Sequence, residues 1–206
     1  MRESRQSPDP RPLRGSAAAV SPVFAHPDHP LALYVWDPTE VGQVSFGLRA
    51  AVALGDRQAG VVSQANVSGL CMFACNEAAL VEPIDALLAH FGPEHVRLTG
   101  PHVRFWPGKP MRWPVMTVVI RVPEHYGARV RSDLVDRGAR CVEAEHGSRT
   151  ALVRAEAPQT RLLGYAGWLH VLTGGRGEVE IELRGYDSAE ASGRSDRDPD
   201  PGPRAA

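Results

Sequence analysis

The clearest hydrophobic pattern lies in the C-terminal half. Residues 115–122 (VMTVVIRV) are a run of β-branched and apolar residues closed by Pro123, which predicts a strand. The period then changes. Tyr126, Val130, Leu134 and Val135 recur at helical spacing over 124–137, with arginines and aspartates between them. Residues 140–145 form a further strand, and His146, Gly147 and Ser148 make a tight turn. Residues 149–157 (RTALVRAEA) alternate apolar and polar. Pro158 suits the first turn of a helix, which carries Leu162, Leu163, Ala166 and Leu169 as one apolar stripe. Gly174, Gly175 and Gly177 stop it. Residues 178–183 (EVEIEL) alternate strictly, the mark of a half-buried strand.

The N-terminal half repeats this order more faintly. Residues 31–36 are a strand. Residues 39–54 form a helix weakened by Gly42 and Gly47. Residues 59–65 and 67–74 form a hairpin turning near Asn66. Residues 77–91 form a helix stopped by Gly92 and Pro93, with Pro83 awkwardly inside it, and 96–105 are the last strand. Each half thus reads βαββαβ, the ferredoxin-like split βαβ pattern. The fold class is α/β (α+β): two tandem ferredoxin-like sandwiches, at 28–106 and 114–187. Residues 107–113, within the stretch WPGKPMRW, form a short linker. The tails, 1–27 and 188–206, are rich in Pro, Arg, Ser and Asp without periodicity and are expected to be disordered.

Composition narrows the function classes. The chain has 206 residues and 43% hydrophobic residues, enough for a packed core. Its net charge of −1 lacks the basic excess of a free-standing nucleic-acid binder. Three cysteines, Cys71, Cys75 and Cys141, do not make a disulfide scaffold. No signal-peptide pattern or apolar membrane-spanning run is present, so a cytoplasmic protein is expected, with neither membrane nor DNA as partner.

The motifs of the C-terminal half carry a family resemblance. In order stand Pro114, Val122-Pro123, Tyr126, Asp133-Leu134, Arg137, Val153-Arg154-Ala155, Pro158, Gly164-Tyr165-Ala166, Leu169, Thr173 and Gly175-Arg176-Gly177. This series resembles the C-terminal (fifth) domain of elongation factor G and its relatives among the translational GTPases. Pro123, Tyr126, Asp133, Gly164, Tyr165, Gly175 and Gly177 are its fold signature here. The chain departs at Arg137-Gly138-Ala139, where the family has a second arginine, at His170 in place of arginine, and at Trp168, a position commonly polar. The N-terminal half resembles the third domain of the same proteins: Asn76-Glu77 through Glu82 stand where its second helix begins, and Pro101 to Phe105 (PHVRF) match its last strand.

The resemblance implies a translation-factor-like, non-enzymatic protein, associated with the ribosome at the GTPase-associated region of the large subunit. No GxxxxGK[ST] phosphate loop occurs, and the only lysine is Lys109. The expectation is a protein that neither binds nor hydrolyses GTP and needs no cofactor. The alternatives are a protein-interaction module docking on a separate protein and a decayed remnant of an elongation factor. Arg137, Arg140, Trp168, His170 and Arg176 are the candidate ribosome or partner contacts. Trp168 would either stack on a base or seal against the N-terminal unit, and the short linker favours the seal. Between 114 and 187 ten arginines meet ten acidic residues, so RNA affinity of this unit alone should be low.

Cys71, Cys75, His90 and His95 approach a two-Cys, two-His zinc spacing. Cys71, Phe73 and Cys75 share one face of a strand, however, so packing is the favoured reading, and no metal is expected. No catalytic constellation stands out among the eight histidines and the serines.

Overall fold

A computed structural model describes residues 26–39, 45–55 and 59–188. The chain builds two four-stranded sheets in succession. The first contains β1 (Leu31–Trp36), α1 (Ser45–Leu54), β2 (Val61–Asn66), β3 (Gly69–Ala74), α2 (Val81–Phe91) and β4 (Arg97–Val103). The second contains β5 (Arg112–Pro123), α3 (Glu124–Asp136), β6 (Arg140–His146), β7 (Thr150–Pro158), the single turn α4 (Gln159–Leu162), α5 (Tyr165–Thr173) and β8 (Glu178–Ser188). The strand orders are β2-β3-β1-β4 and β6-β7-β5-β8, and every pairing is antiparallel. Both are therefore the ferredoxin-like arrangement expected from the pattern. The expected tails fall largely on 1–25 and 189–206, outside the described residues.

Strand alternation decides the cores. In the first unit Leu31, Leu33 and Val35 of β1 and Leu70, Met72 and Ala74 of β3 meet Phe46 and Ala50 of α1 and Leu87 of α2. In the second, Met116, Val118, Ile120 and Val122 of β5 and Ala151, Val153, Ala155 and Ala157 of β7 meet Val130, Leu134, Leu162, Tyr165 and Leu169. Val135, read as part of the helical stripe, is exposed. Gly127 takes the buried place instead. A Cβ there would lie 2.6 Å from the Ala151 Cβ, so only glycine lets α3 sit this close to β7. Pro83 is the third residue of α2. It falls in the first turn, whose N–H groups have no intrahelical partner, and it is buried there without breaking the helix.

The expected single helix after Pro158 is two. Leu163 is extended (φ −56°, ψ 128°) and Gly164 is left-handed (φ 73°, ψ 5°), a conformation that glycine adopts without penalty. The break resets the helical phase. Tyr165, Leu169 and Thr173 form the buried line of α5, and Ala166 faces solvent. It also turns Leu163 away from its own core and against the core of the first unit. The linker stretch is partly ordered by its own backbone: Trp106 and Arg112 exchange two hydrogen bonds, at 2.9 and 3.2 Å.

Candidate functional site

The side chains of α3 and α5 meet at both ends, and an arginine closes each end. Arg137 follows α3. Its Nε donates to Asp133 Oδ2 at 2.7 Å and its Nη1 donates to the Arg161 carbonyl at 3.0 Å. The guanidinium lies 5.0 Å from the Tyr165 ring and 5.6 Å from the Trp168 ring, within cation–π range. At the other end, Arg176 Nε donates to the Thr173 carbonyl (3.1 Å), satisfying the C-terminus of α5, and its Nη2 donates to the Tyr126 hydroxyl (3.1 Å). Thr173 Oγ1 in turn donates to the Leu169 carbonyl (2.8 Å) and accepts from the Gly177 amide (2.9 Å). The motif residues Tyr126, Asp133, Tyr165 and Gly177 thus hold these two arginines or the turn beside them.

Placement of the five candidate contacts follows from this. Arg137 and Arg176 each direct two donors at their own domain. Trp168 is half-buried on the core of the second unit, its ring 5.2 Å from Tyr165. Leu163 packs against the core of the N-terminal unit, whereas Trp168 packs on the core of its own; the phase reset at Gly164 separates the two. His170 is exposed on α5, where its ring lies over the Gly174-Gly175 turn: a Cβ on Gly175 would come within 3.1 Å of its Cε1. Arg140 is exposed at the start of β6, across the ladder from Glu156. The structure therefore gathers Arg137 with Trp168 and places His170 and Arg176 at the opposite end of α5.

Charge is segregated even though the unit is neutral overall. On the helical side, Arg129 and Arg131 of α3 are exposed alongside Arg176 and His170, with Glu124 and Asp136 as acidic neighbours. The opposite, uncovered side of the sheet carries Glu143, Glu145, Glu156, Glu178, Glu180 and Glu182 against Arg121, Arg140, Arg154 and Arg184. Three of these arginines are held by ion pairs to that acidic face: Arg121 to Glu180 (3.1 Å), Arg154 to Glu143 and Glu145 (3.1 Å each) and Arg184 to Glu156 (3.0 Å). The helical side is the only one of the two that an anionic polymer would approach without repulsion.

The zinc-like spacing does not close. Cys71 lies in β3 and Cys75 just beyond its end, both as partly buried free thiols, with burial pushing the Cys71 thiol up. His90 is exposed on α2 beside Phe91. His95 is engaged elsewhere, its Nδ1 3.2 Å from Asp37 Oδ2. No group of three or more His, Cys, Asp or Glu that could hold a metal occurs among the described residues. Asp37, missed by sequence reasoning, is a buried carboxylate. Burial pushes it up, but hydrogen bonds from the Thr39 hydroxyl and amide (2.7 Å each) and from His95 outweigh burial and hold it below its ordinary range.

A further pair of contacts carries no signal in the sequence. Asn76 Nδ2 donates to the Ile181 carbonyl (3.0 Å) and Glu77 Oε2 accepts from the Gly164 amide (2.8 Å). These residues belong to different units, 105 and 87 positions apart. No periodicity links positions so distant.

Comparison with known proteins agrees with the residue-level resemblance. Residues 113–196 match the family model described as elongation factor G C-terminus. Elongation factor G 2 of Vibrio vulnificus (strain YJ016) is 32% identical over 75 residues, covering 36% of this chain and 11% of that protein. Elongation factor G of Aquifex pyrophilus is 34% identical over 74 residues, covering 36% of this chain and 11% of that protein. A crystal structure of a Thermus thermophilus protein superposes with a TM-score of 0.56 at 15% identity, over 80% of this chain and 42% of that one. At that identity the likeness is one of fold, and it extends beyond what the second unit alone could supply. The matched stretch spans about a tenth of the length of these curated relatives. No helix among the described residues is long and apolar enough to cross a membrane. In sequence, motif order and fold, the second unit of this chain is thus similar to the C-terminal domain of elongation factor G.

Proposed function

We propose that the protein is a translation-factor-like, non-enzymatic component that associates with the ribosome and has no GTPase activity of its own. It would work in the cytoplasm, at the GTPase-associated region of the large subunit. The observation that carries this reading is the charge segregation on a domain similar to the elongation factor G C-terminus. Its helical side, bearing Arg129, Arg131, His170 and Arg176, is the side free of the glutamate row. Phosphate contacts dominate affinity for RNA and weaken steeply with salt. Few cations contribute here, so binding should be modest and salt-sensitive.

Sedimentation of the purified protein with ribosomes tests the reading. Association at about 50 mM salt that is lost by about 200 mM is expected. Absence from the ribosomal pellet at low salt would overturn it. The double variant Arg129→Ala, Arg131→Ala should weaken sedimentation without lowering the melting temperature, because both side chains are exposed on α3. GTP turnover by the purified protein above a no-protein control would overturn the non-enzymatic part. A pulldown that recovers one protein partner insensitive to salt, without ribosomes, would favour the interaction-module reading.

A further inference from the structure

We infer that Asn76 and Glu77 lock the two ferredoxin-like units together at the start of α5, so that the N-terminal unit fixes how the contact-bearing helix is presented. Three contacts of different chemistry converge there. First, α5 begins at a left-handed Gly164 that supplies no side-chain cap. The first N–H groups of any helix lack intrahelical partners, and its positive end favours a carboxylate. Glu77, from the other unit, provides one at 2.8 Å from the Gly164 amide. Second, β8 is the edge strand of its sheet. Exposed edge carbonyls invite unwanted pairing, and Asn76 Nδ2 occupies that of Ile181 at 3.0 Å. The other atom of the same amide, Asn76 Oδ1, accepts from the Ala79 amide at 3.0 Å, which fixes the turn Ala78–Leu80 ahead of α2. Third, Leu163, turned outward by the break between α4 and α5, packs on the core of the first unit.

The arrangement explains the break itself. A continuous helix through 159–173 would keep the Gly164 amide inside its own hydrogen-bond ladder, with none left for Glu77. It would also keep Leu163 on the wall of that helix. Breaking at Gly164 frees one donor and one apolar side chain, and both go to the same neighbour. At this place the contact between units is built from the residue pair that opens the second helical segment of one unit and the joint that opens the last helix of the other; Tyr186 of β8 makes a separate contact, to the Pro27 carbonyl (2.9 Å) and the Trp106 ring. Glu77 and Asn76 are positioning residues, which act through α5 and β8.

Amide hydrogen exchange on the full chain tests this without any ribosome, so its outcome is separate from that of the sedimentation experiment. In Glu77→Ala, peptides covering 163–169 and 178–183 should both exchange about tenfold faster, while those covering β7 keep their protection. Glu77→Gln, which preserves shape and an acceptor oxygen but removes the charge, should give a smaller acceleration in the same two segments. Acceleration confined to 163–169 would reduce Glu77 to a local helix cap and overturn the lock. Unchanged exchange in both segments would overturn it as well.

Discussion

Replacing Arg137 by alanine separates a fold-holding arginine from a phosphate contact. The side chain makes an ion pair with Asp133, in which the two partners are 27% and 24% exposed, a hydrogen bond to the Arg161 carbonyl and cation–π contacts with Tyr165 and Trp168. A partly exposed i,i+4 pair contributes about 0.5 kcal/mol. A charged donor on a backbone carbonyl contributes about 1 kcal/mol, discounted here because the bond is exposed. The ring contacts add about 0.5 kcal/mol. These terms total about 2 kcal/mol, and for a chain of this size the melting temperature should fall by about 4–8 °C. Arg137→Lys is the informative companion. A lysine retains the charge that a phosphate needs but not the planar fork that reaches Asp133 and the carbonyl together, so it should recover less than half of the loss. Thermal and urea unfolding of the three proteins provide the measurement, with ribosome sedimentation alongside. If Arg137→Ala melted with the wild type yet failed to sediment, and lysine restored sedimentation, the clamp would be refuted and Arg137 would be an RNA contact.

Other outcomes follow from the same geometry. Gly127→Ala gains helix propensity but drives a Cβ to 2.6 Å from that of Ala151, so a net loss of about 1–3 kcal/mol is expected in urea unfolding; a more stable variant would contradict the close packing of α3 on β7. Asp37 has a folded-state pKa held below its ordinary value of 3.8, so its stabilisation is present above that value and is lost as pH falls through the depressed one. Asp37→Asn should flatten the acid side of the stability curve below about pH 5, and an unchanged slope would count against the Thr39 and His95 bonds. Trp168→Ala should lower stability by about 2 kcal/mol or more, since it removes a half-buried aromatic ring and one face of the Arg137 clamp. A variant with wild-type melting and lost ribosome binding would instead make Trp168 a base-stacking residue.

Much of the architecture was legible because strands and helices write their own period. The row Met116, Val118, Ile120 and Val122 faces the core because alternate side chains of a strand must share a face, and β8 shows its glutamates to solvent by the same rule. The motifs from Pro123 to Gly177 were readable as a family series because local turns and caps need particular residues at particular spacings. Gly127 was not read as a core position, since a glycine adds nothing to a hydrophobic pattern; only the neighbouring strand shows why nothing larger fits. The zinc-like spacing was legible, but packing pairs its last member, His95, with Asp37 instead, a partner that the spacing does not show.

By itself, then, the sequence determined two βαββαβ units, the identity of their buried rows and the resemblance of the second to the elongation factor G C-terminus. Tertiary structure alone decided what the candidate residues do. It folded Arg137 and Arg176 back onto Tyr165, Trp168 and Tyr126. It sorted a neutral set of charges into an acidic sheet face and a more basic helical face. It broke the last helix at Gly164, so that Leu163 meets the other unit beside Asn76 and Glu77. The physical reason is one of range. Periodicity and capping act over a few residues along the chain, whereas charge segregation and the contact between units join positions up to about a hundred residues apart, which only packing brings together.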